Sequence, residues 1–297
     1  MTTQSQRIVW MTGLGLFLAT PLDIGIINIA LPTLQTTWHT TAATVAWTVA
    51  AYTVTLADTV LFWGRLADRI GPGRVFWWGL MGFAVTSGAC GMAPSLGWLI
   101  AARALQGLAS AMIQGTAIAL ATVHLPTSRR ALALGTLAMF QGLGAVIGPT
   151  VSGVLLTWVS WRGLFWINLP VSVPLILWLG PRSNTQAAPA NPPSSLDIPG
   201  NVFLMVAVFT GLLALTGQSG SRLLWIVISV LAVGCFLRWE RRTPSPLIPR
   251  ALWSSPMFWA VWRHGHRRRR DIPRVYGAPV YVGASLGCRR TLANRAY

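Results

Sequence analysis

GRLADRIGPGR, residues 64–74, sets three arginines and an aspartate within eleven positions. In the whole chain 10% of residues are charged and 53% are hydrophobic. So dense a cluster in so apolar a chain predicts a place where the polypeptide meets water between two segments that avoid it. Apolar runs do recur on either side. Crossing about 30 Å of hydrocarbon takes roughly 20 helical residues, and eight runs come near or exceed that length, at 8–31, 45–66, 75–93, 97–123, 131–157, 163–180, 199–217 and 221–239. The predicted fold class is therefore an all-α polytopic membrane protein, with 64–74 as the loop between its second and third helices. Arg7 ahead of the first run imitates a secretory signal, but the run is too long and contains Asp23, so an uncleaved helix is expected.

Loop arginines set the orientation. With the N-terminus in the cytoplasm, the inner side collects Arg7, Arg65, Arg69, Arg74, Arg129, Arg130, Arg182, Arg238, Arg241, Arg242 and Arg250, and the outer side only Arg162 and Arg222. That bias places 64–74 inside. It accounts for the arginines there but not for Asp68, nor for the flanking Gly64 and Gly71. Cys90, Cys235 and Cys288 have no metal or redox spacing and are expected to be buried thiols rather than a disulfide framework.

Charge also divides the chain. The net +17 comes from fourteen arginines against five acids over residues 1–262, and nine against Asp271 over 263–297. All 23 basic residues are arginine, a sign of GC-rich coding. Residues 181–198, rich in Pro, Ser, Asn and Gln, read as a cytoplasmic linker. After LIPRALWSSPMFWAVW a further apolar helix is due, and RHGHRRRRDIPR follows instead. Such a segment cannot enter a bilayer without arginines at hydrocarbon depth. A change of reading frame near residue 262 accounts for it, and a basic tail attracted to anionic headgroups is the alternative. Nucleic-acid binding is not expected, because no recognition module or aromatic platform accompanies the charge.

Four stretches carry a resemblance. Gly64, Leu66, Asp68, Arg69, Gly71 and Arg74 match the G-x-L-a-D-R-x-G-R-[KR] signature between helices two and three of major facilitator superfamily transporters, with Pro72-Gly73 departing from it. LDIGIINIALP (22–32) resembles the first-helix motif of the drug:proton antiporter branch, with Gly25 where threonine is typical. RALQG (103–107) resembles the fourth-helix motif built on a buried arginine. Gly135, Gly144, Gly148, Pro149 and Gly153 fit the fifth-helix antiporter motif, with Ser152 replacing one glycine. WRGLFWINLP (161–170), LDIPG (196–200) and ERRTPSPLIP (240–249) are similar to the fourteen-helix multidrug efflux branch, in which two extra helices join two six-helix halves. The resemblance spans about residues 8–262. It implies an N-terminal six-helix half at 1–180, the linker at 181–198, two additional helices at 199–239, the start of a second half at 240–262, and a tail at 263–297 outside the pattern.

The same residues can be read physically. An ionisable group at membrane depth is costly and is a functional candidate by default. Asp23 falls about 22 Å along the first helix, roughly 8 Å below the outer edge of the hydrocarbon, and Arg103 in the fourth helix falls about 9 Å below it. Sharing a depth, they either form a static ion pair or couple shape to proton affinity, since separating them changes how the carboxyl holds a proton. Gln106, Ser110 and Gln114 continue a polar stripe from Arg103, readable as cavity lining or as interhelical hydrogen bonding, beside a small-residue ridge of Gly107, Ala111 and Gly115. Gly144, Gly148 and Ser152 lie four apart for close helix approach, and Pro149 removes a backbone hydrogen bond. Asp58 lies too deep to share Asp23's site and is expected either to face the cavity or to be satisfied near Arg65. Asn28, Asn168, Pro170 and Pro174 read as features of helix shape and packing.

Together these readings imply proton-coupled efflux of amphipathic compounds across a bacterial plasma membrane. Asp23 would carry the proton and Arg103 would partner it, while Asp68, Arg69 and Arg74 with Gly64 and Gly71 would form a cytoplasmic gate against a second half. No cofactor or metal is implied, the proton gradient being the drive, and no nucleophile–base pair or phosphate loop suggests an enzyme. A half-transporter would need a homodimer or a full-length transporter as partner. The alternative is a non-transporting membrane protein that binds a ligand or regulates a full-length relative.

Overall fold

A computed structural model describes residues 3–123, 125–180, 198–216 and 222–243, and every regular element among them is helical. The first rod joins α1 (Thr3–Phe17) through one π-helical turn (Leu18–Leu22) to α2 (Asp23–Thr37). It is followed by α3 (Ala42–Ile70), α4 (Pro72–Gly91), α5 (Leu96–Thr122) and α6 (Thr127–Leu155). A broken rod comes next, α7 (Trp161–Trp166) and α8 (Leu169–Leu179), and then α9 (Ile198–Thr216) and α10 (Arg222–Arg242). The expected runs thus become eight helical rods, most of them extended past the apolar residues by polar first and last turns. Six rods are long and apolar enough to cross a membrane; α4, with Arg74 in its first turn, and the shorter apolar helix Pro199–Ala214 fall outside that set. Residues 181–197, all but the last of the expected linker, the chain beyond Thr243, and with them Arg182, Arg250 and Cys288, lie outside the described residues.

The rods start and stop for local reasons. Side chains of Thr41, Ser95 and Ser160 accept hydrogen bonds from the backbone N–H groups of Thr44, Trp98 and Arg162, capping α3, α5 and α7. At the other end of α3 the expected loop is corrected: residues 64–70 continue the helix, and Pro72 already opens α4. The whole reversal is Gly71 at φ 96°, a backbone conformation that glycine reaches without a steric penalty. Charge at a membrane edge reads like loop composition, yet a helix can run straight through that edge while its arginines reach water.

Helix α5 is the packing axis, with α3 on one side and α4 on another, and α4 in turn meets α7 and α8. The small-residue ridge explains the closeness. A Cβ on Gly107 would stand 2.4 Å from the Tyr52 carbonyl oxygen, and one on Gly115 would stand 2.6 Å from that of Val60. Gly64, from the charged stretch, belongs to this seam, since a Cβ there would meet the Gly115 carbonyl at 3.4 Å. The first rod lies along α6. The α9–α10 hairpin leans on α3 through α9, where the Trp47 and Phe209 rings stand 6.2 Å apart. Facing outward are large apolar side chains such as Val146 (71% exposed) and Leu177 (76% exposed), the inverse of a water-facing surface and what hydrocarbon solvent requires. Cys90 is buried as expected, but Cys235 is exposed, because α10 packs on α9 with Ala232 and Phe236 buried.

Candidate functional site

The π-helical turn holds Pro21, which has no N–H to donate, and it ends directly on Asp23. Asp23 opens α2 at 1% exposure, pointing into the bundle at the fully buried Arg103 of α5. Arg103 Nη1 donates to Asp23 Oδ2 in a buried ion pair. The two residues that the depth arithmetic brought level are therefore in direct contact.

A polar cluster closes around the pair. Gln106 Oε1 accepts from Arg103 Nη1 at 2.8 Å, while its Nε2 donates to Ser87 Oγ at 2.7 Å and reaches Asp23 Oδ1 at 3.4 Å. Asn168, at the break between α7 and α8, donates from Nδ2 to Asp23 Oδ1 at 3.3 Å and to Ser87 Oγ at 3.1 Å. Arg103 also donates from Nε to the Thr48 carbonyl at 3.2 Å, and its guanidinium lies 4.2 Å from the centre of the Tyr52 ring. The Tyr52 hydroxyl donates to the Ala19 carbonyl and lies 2.8 Å from Ser110 Oγ. Cys90 Sγ stands 3.6 Å from Gln106 Oε1. Side chains from α2, α3, α4, α5 and the α7–α8 break thus converge on one buried charge pair.

The sequence reading supplied Asp23, Arg103, Gln106 and Ser110. It missed Thr48, Tyr52, Ser87 and Cys90, and it assigned Asn168 to packing alone. The available signals were faint: Thr48 and Tyr52 are four apart on one helix, Ser87 and Cys90 three apart on another, and Asn168 lies two residues before Pro170. Gln106 and Ser110 are fully buried in this cluster rather than facing an open cavity. Gln114, half-buried, lies about 12 Å further along α5 than Gln106.

The glycine–proline motif of α6 divides in two. A Cβ on Gly144 would come within 2.6 Å of Pro21 Cγ, and one on Gly148 within 3.0 Å of the Leu22 carbonyl, so these glycines hold α6 against the π-helical turn that aims Asp23. A Cβ on Gly135 or Gly153 would meet nothing within 4 Å, so the five residues do not form one seam. Ser152, at the substituted position, donates from Oγ to the Gly148 carbonyl at 2.7 Å. Gly25, where threonine is typical in the branch this chain resembles, gains a reason: a Cβ there would stand 2.8 Å from Pro149 Cδ and 3.2 Å from Gly148 Cα. Gly25→Thr is expected to lower the stability of the purified chain by about 1–3 kcal/mol through overpacking. Thermal unfolding beside Gly135→Ala, which should change little, checks this.

The charged stretch lies elsewhere. Asp68 and Arg74 are exposed and Arg69 is half-buried, with Asp68 about 24 Å along α3 from Tyr52. Arg65 acts electrostatically on Asp68. The expectation that Arg65 would satisfy Asp58 is corrected: Asp58 is 2% exposed, and its Oδ2 meets no hydrogen-bond partner among the described residues. A separation of seven positions amounts to about 10.5 Å along the axis, too far for an ion pair.

The family description "Major Facilitator Superfamily" matches residues 13–270. The chain belongs to the major facilitator superfamily. That match runs past residue 262, where the motif resemblance stops. This major facilitator chain is 34% identical over 240 residues, 79% of its length, to the tetracenomycin C resistance and export protein of Streptomyces glaucescens, covering 44% of that protein. It is 31% identical over 271 residues, 88% of its length, to the drug efflux pump JefA of Mycobacterium tuberculosis, covering 52% of it. With the methylenomycin A resistance protein of Streptomyces coelicolor the identity is 30% over 251 residues, 82% of this chain and 52% of that one. The chain spans about half the length of the curated relatives it matches. It is a multi-pass protein of the bacterial plasma membrane, and these relatives are named for resistance and efflux.

Proposed function

We propose that this chain forms the N-terminal half of a proton-driven exporter of amphipathic compounds, with its N-terminus in the cytoplasm. The buried Asp23–Arg103 pair carries the reading. Proton arrival at Asp23 removes the charge that Arg103 and two side-chain amides face, while Arg103 keeps Gln106 Oε1, the Thr48 carbonyl and the Tyr52 ring as alternative partners. The cluster therefore has two internally satisfied arrangements, protonated and deprotonated, and five helical segments that feel the change. Residues 1–180 would be the transporter half and 199–239 the added helices. Gly64, Asp68, Arg69, Gly71 and Arg74, at the one-residue corner between α3 and α4, would form the inner gate, with Asp68 offered to a helix terminus of the second half. Gln106, Ser110 and Gln114 would meet the cavity as the halves rock, and the relatives' names support a small amphipathic substrate.

The test uses everted membrane vesicles from cells expressing the chain together with any further product of the same transcript, which is sequenced through and beyond the Trp262 codon. Acidifying the lumen is expected to drive accumulation of an amphipathic dye, falling to background in Asp23→Asn. Accumulation that survives Asp23→Asn, or none under a proton gradient, would overturn the proposal. Residues 1–297 expressed alone are expected to give no accumulation, because one half supplies one wall of the cavity; accumulation by that chain would point to a homodimer.

A further inference from the structure

Asp58 is the buried acid that the cluster does not use. It lies on the face of α3 that also carries Trp47, eleven residues back, and Val54, four back. Trp47 meets Phe209 of α9, and Val54 lines an apolar cavity of about 500 Å³ with Val208, Gly211 and Leu212 of α9 and Ile226 and Val230 of α10. The α9–α10 hairpin thus meets this face of α3 at Trp47 and Val54, and Asp58, one turn beyond Val54, is 2% exposed. Asp23 has a cation and two amides, whereas Asp58 Oδ2 has no hydrogen-bond partner among the described residues, and Asp58 forms no ion pair with them.

Among the described residues no ion pair answers it. Helix α9 carries no titratable residue between Ile198 and Thr216. On α5 the one titratable group is Arg103, engaged with Asp23 of α2. Helix α4 offers Arg74 in its first turn and Cys90, which is bonded to Gln106. On α3 itself, the Tyr52 hydroxyl belongs to the Ala19–Ser110 contacts and Arg65 acts on Asp68. Arg222, in the first turn of α10, lines the same cavity as Val54. An ionised carboxylate in such a place would lack compensation costing several kcal/mol, whereas a neutral acid leaves only an unmet hydrogen bond.

We propose that Asp58 is a second proton-binding carboxyl of this chain, separate from the Asp23–Arg103 pair and enclosed where the α9–α10 hairpin closes over α3. Proton release from it requires that seam to open, which links the added helices to protonation. Its part in a transport cycle, a second proton exchanged, rests on the export reading above; proton binding itself does not.

Infrared spectroscopy of the purified chain in lipid nanodiscs tests the binding without any transport. The expected result is a carbonyl-stretch band of a protonated, weakly hydrogen-bonded carboxylic acid at neutral pH, lost entirely in Asp58→Asn and retained in Asp23→Asn. Asp58→Leu, which removes the unmet polar atom, is expected to unfold at a temperature no lower than the parent chain. A parent spectrum indistinguishable from that of Asp58→Asn, or a band that disappears with Asp23→Asn instead, would overturn the proposal. Failure of dye transport with the band intact would count against the export reading alone.

Discussion

Replacing Arg103 by alanine is expected to destabilise the purified chain by about 3–5 kcal/mol, the range for a buried ion pair that loses one partner. Asp23 would keep two long hydrogen bonds, 3.4 Å from Gln106 and 3.3 Å from Asn168, and no cation. Asp23→Asn should cost less, because Arg103 retains Gln106 Oε1 at 2.8 Å, the Thr48 carbonyl at 3.2 Å and the Tyr52 ring. Denaturant unfolding of the two single variants and the double variant measures both losses. Additive losses would mean that the contact carries no coupling energy.

The second large effect belongs to Gly107. Its missing side chain lets α5 approach α3 so closely that a Cβ would lie 2.4 Å from the Tyr52 carbonyl oxygen and 3.1 Å from its carbonyl carbon. These are backbone atoms, so no rotamer change relieves the clash and the helices must separate. Gly107→Ala is expected to cost at least the ~1–3 kcal/mol usual for overpacking, and Gly107→Val more. The damage should also be functional, because Tyr52 carries both the ring that faces Arg103 and the hydroxyl that meets Ala19 and Ser110. Gly142→Ala is the control: Gly142 is exposed with nothing within 4 Å of the added carbon, and higher helix propensity should hold or raise stability. Thermal unfolding of the three variants decides it, and equal behaviour of Gly107→Ala and Gly142→Ala would mean that α3 and α5 are not packed as described.

Much of the fold is written in the sequence because hydrocarbon thickness dictates how long an apolar run must be. The same thickness made depth a usable coordinate, and depth alone brought Asp23 level with Arg103 from helices of opposite direction. What periodicity reports is which residues share a face of their own helix, not which faces meet. Tyr52, Ser87 and Asn168 come from three different parts of the chain and become neighbours only through the packing of α3 and α4 on α5 and of α7 and α8 on α4, so no local pattern announces them. Asp58 failed for the complementary reason. Arg65 does lie on its face, seven residues away, but the axial rise separates them and the covering helix comes from far along the chain. In 64–74 composition misled directly, since charge suggested a loop where the chain needs only Gly71 to reverse.

The π-helical turn before Asp23 has a last implication, about phase rather than chemistry. One residue more than an α-helical turn places the two parts of the first rod out of step by about 100°. Side chains before Leu18 address different neighbours from those an unbroken 3.6-residue repeat would assign, and those from Asp23 onward restart the count. The aim of the carboxylate at the guanidinium is therefore set by how many residues separate it from the N-terminal end of the rod. Conservative exchanges within Leu18–Leu22 preserve that count, whereas loss of a single residue there would turn Asp23 away from Arg103 with every functional side chain still present.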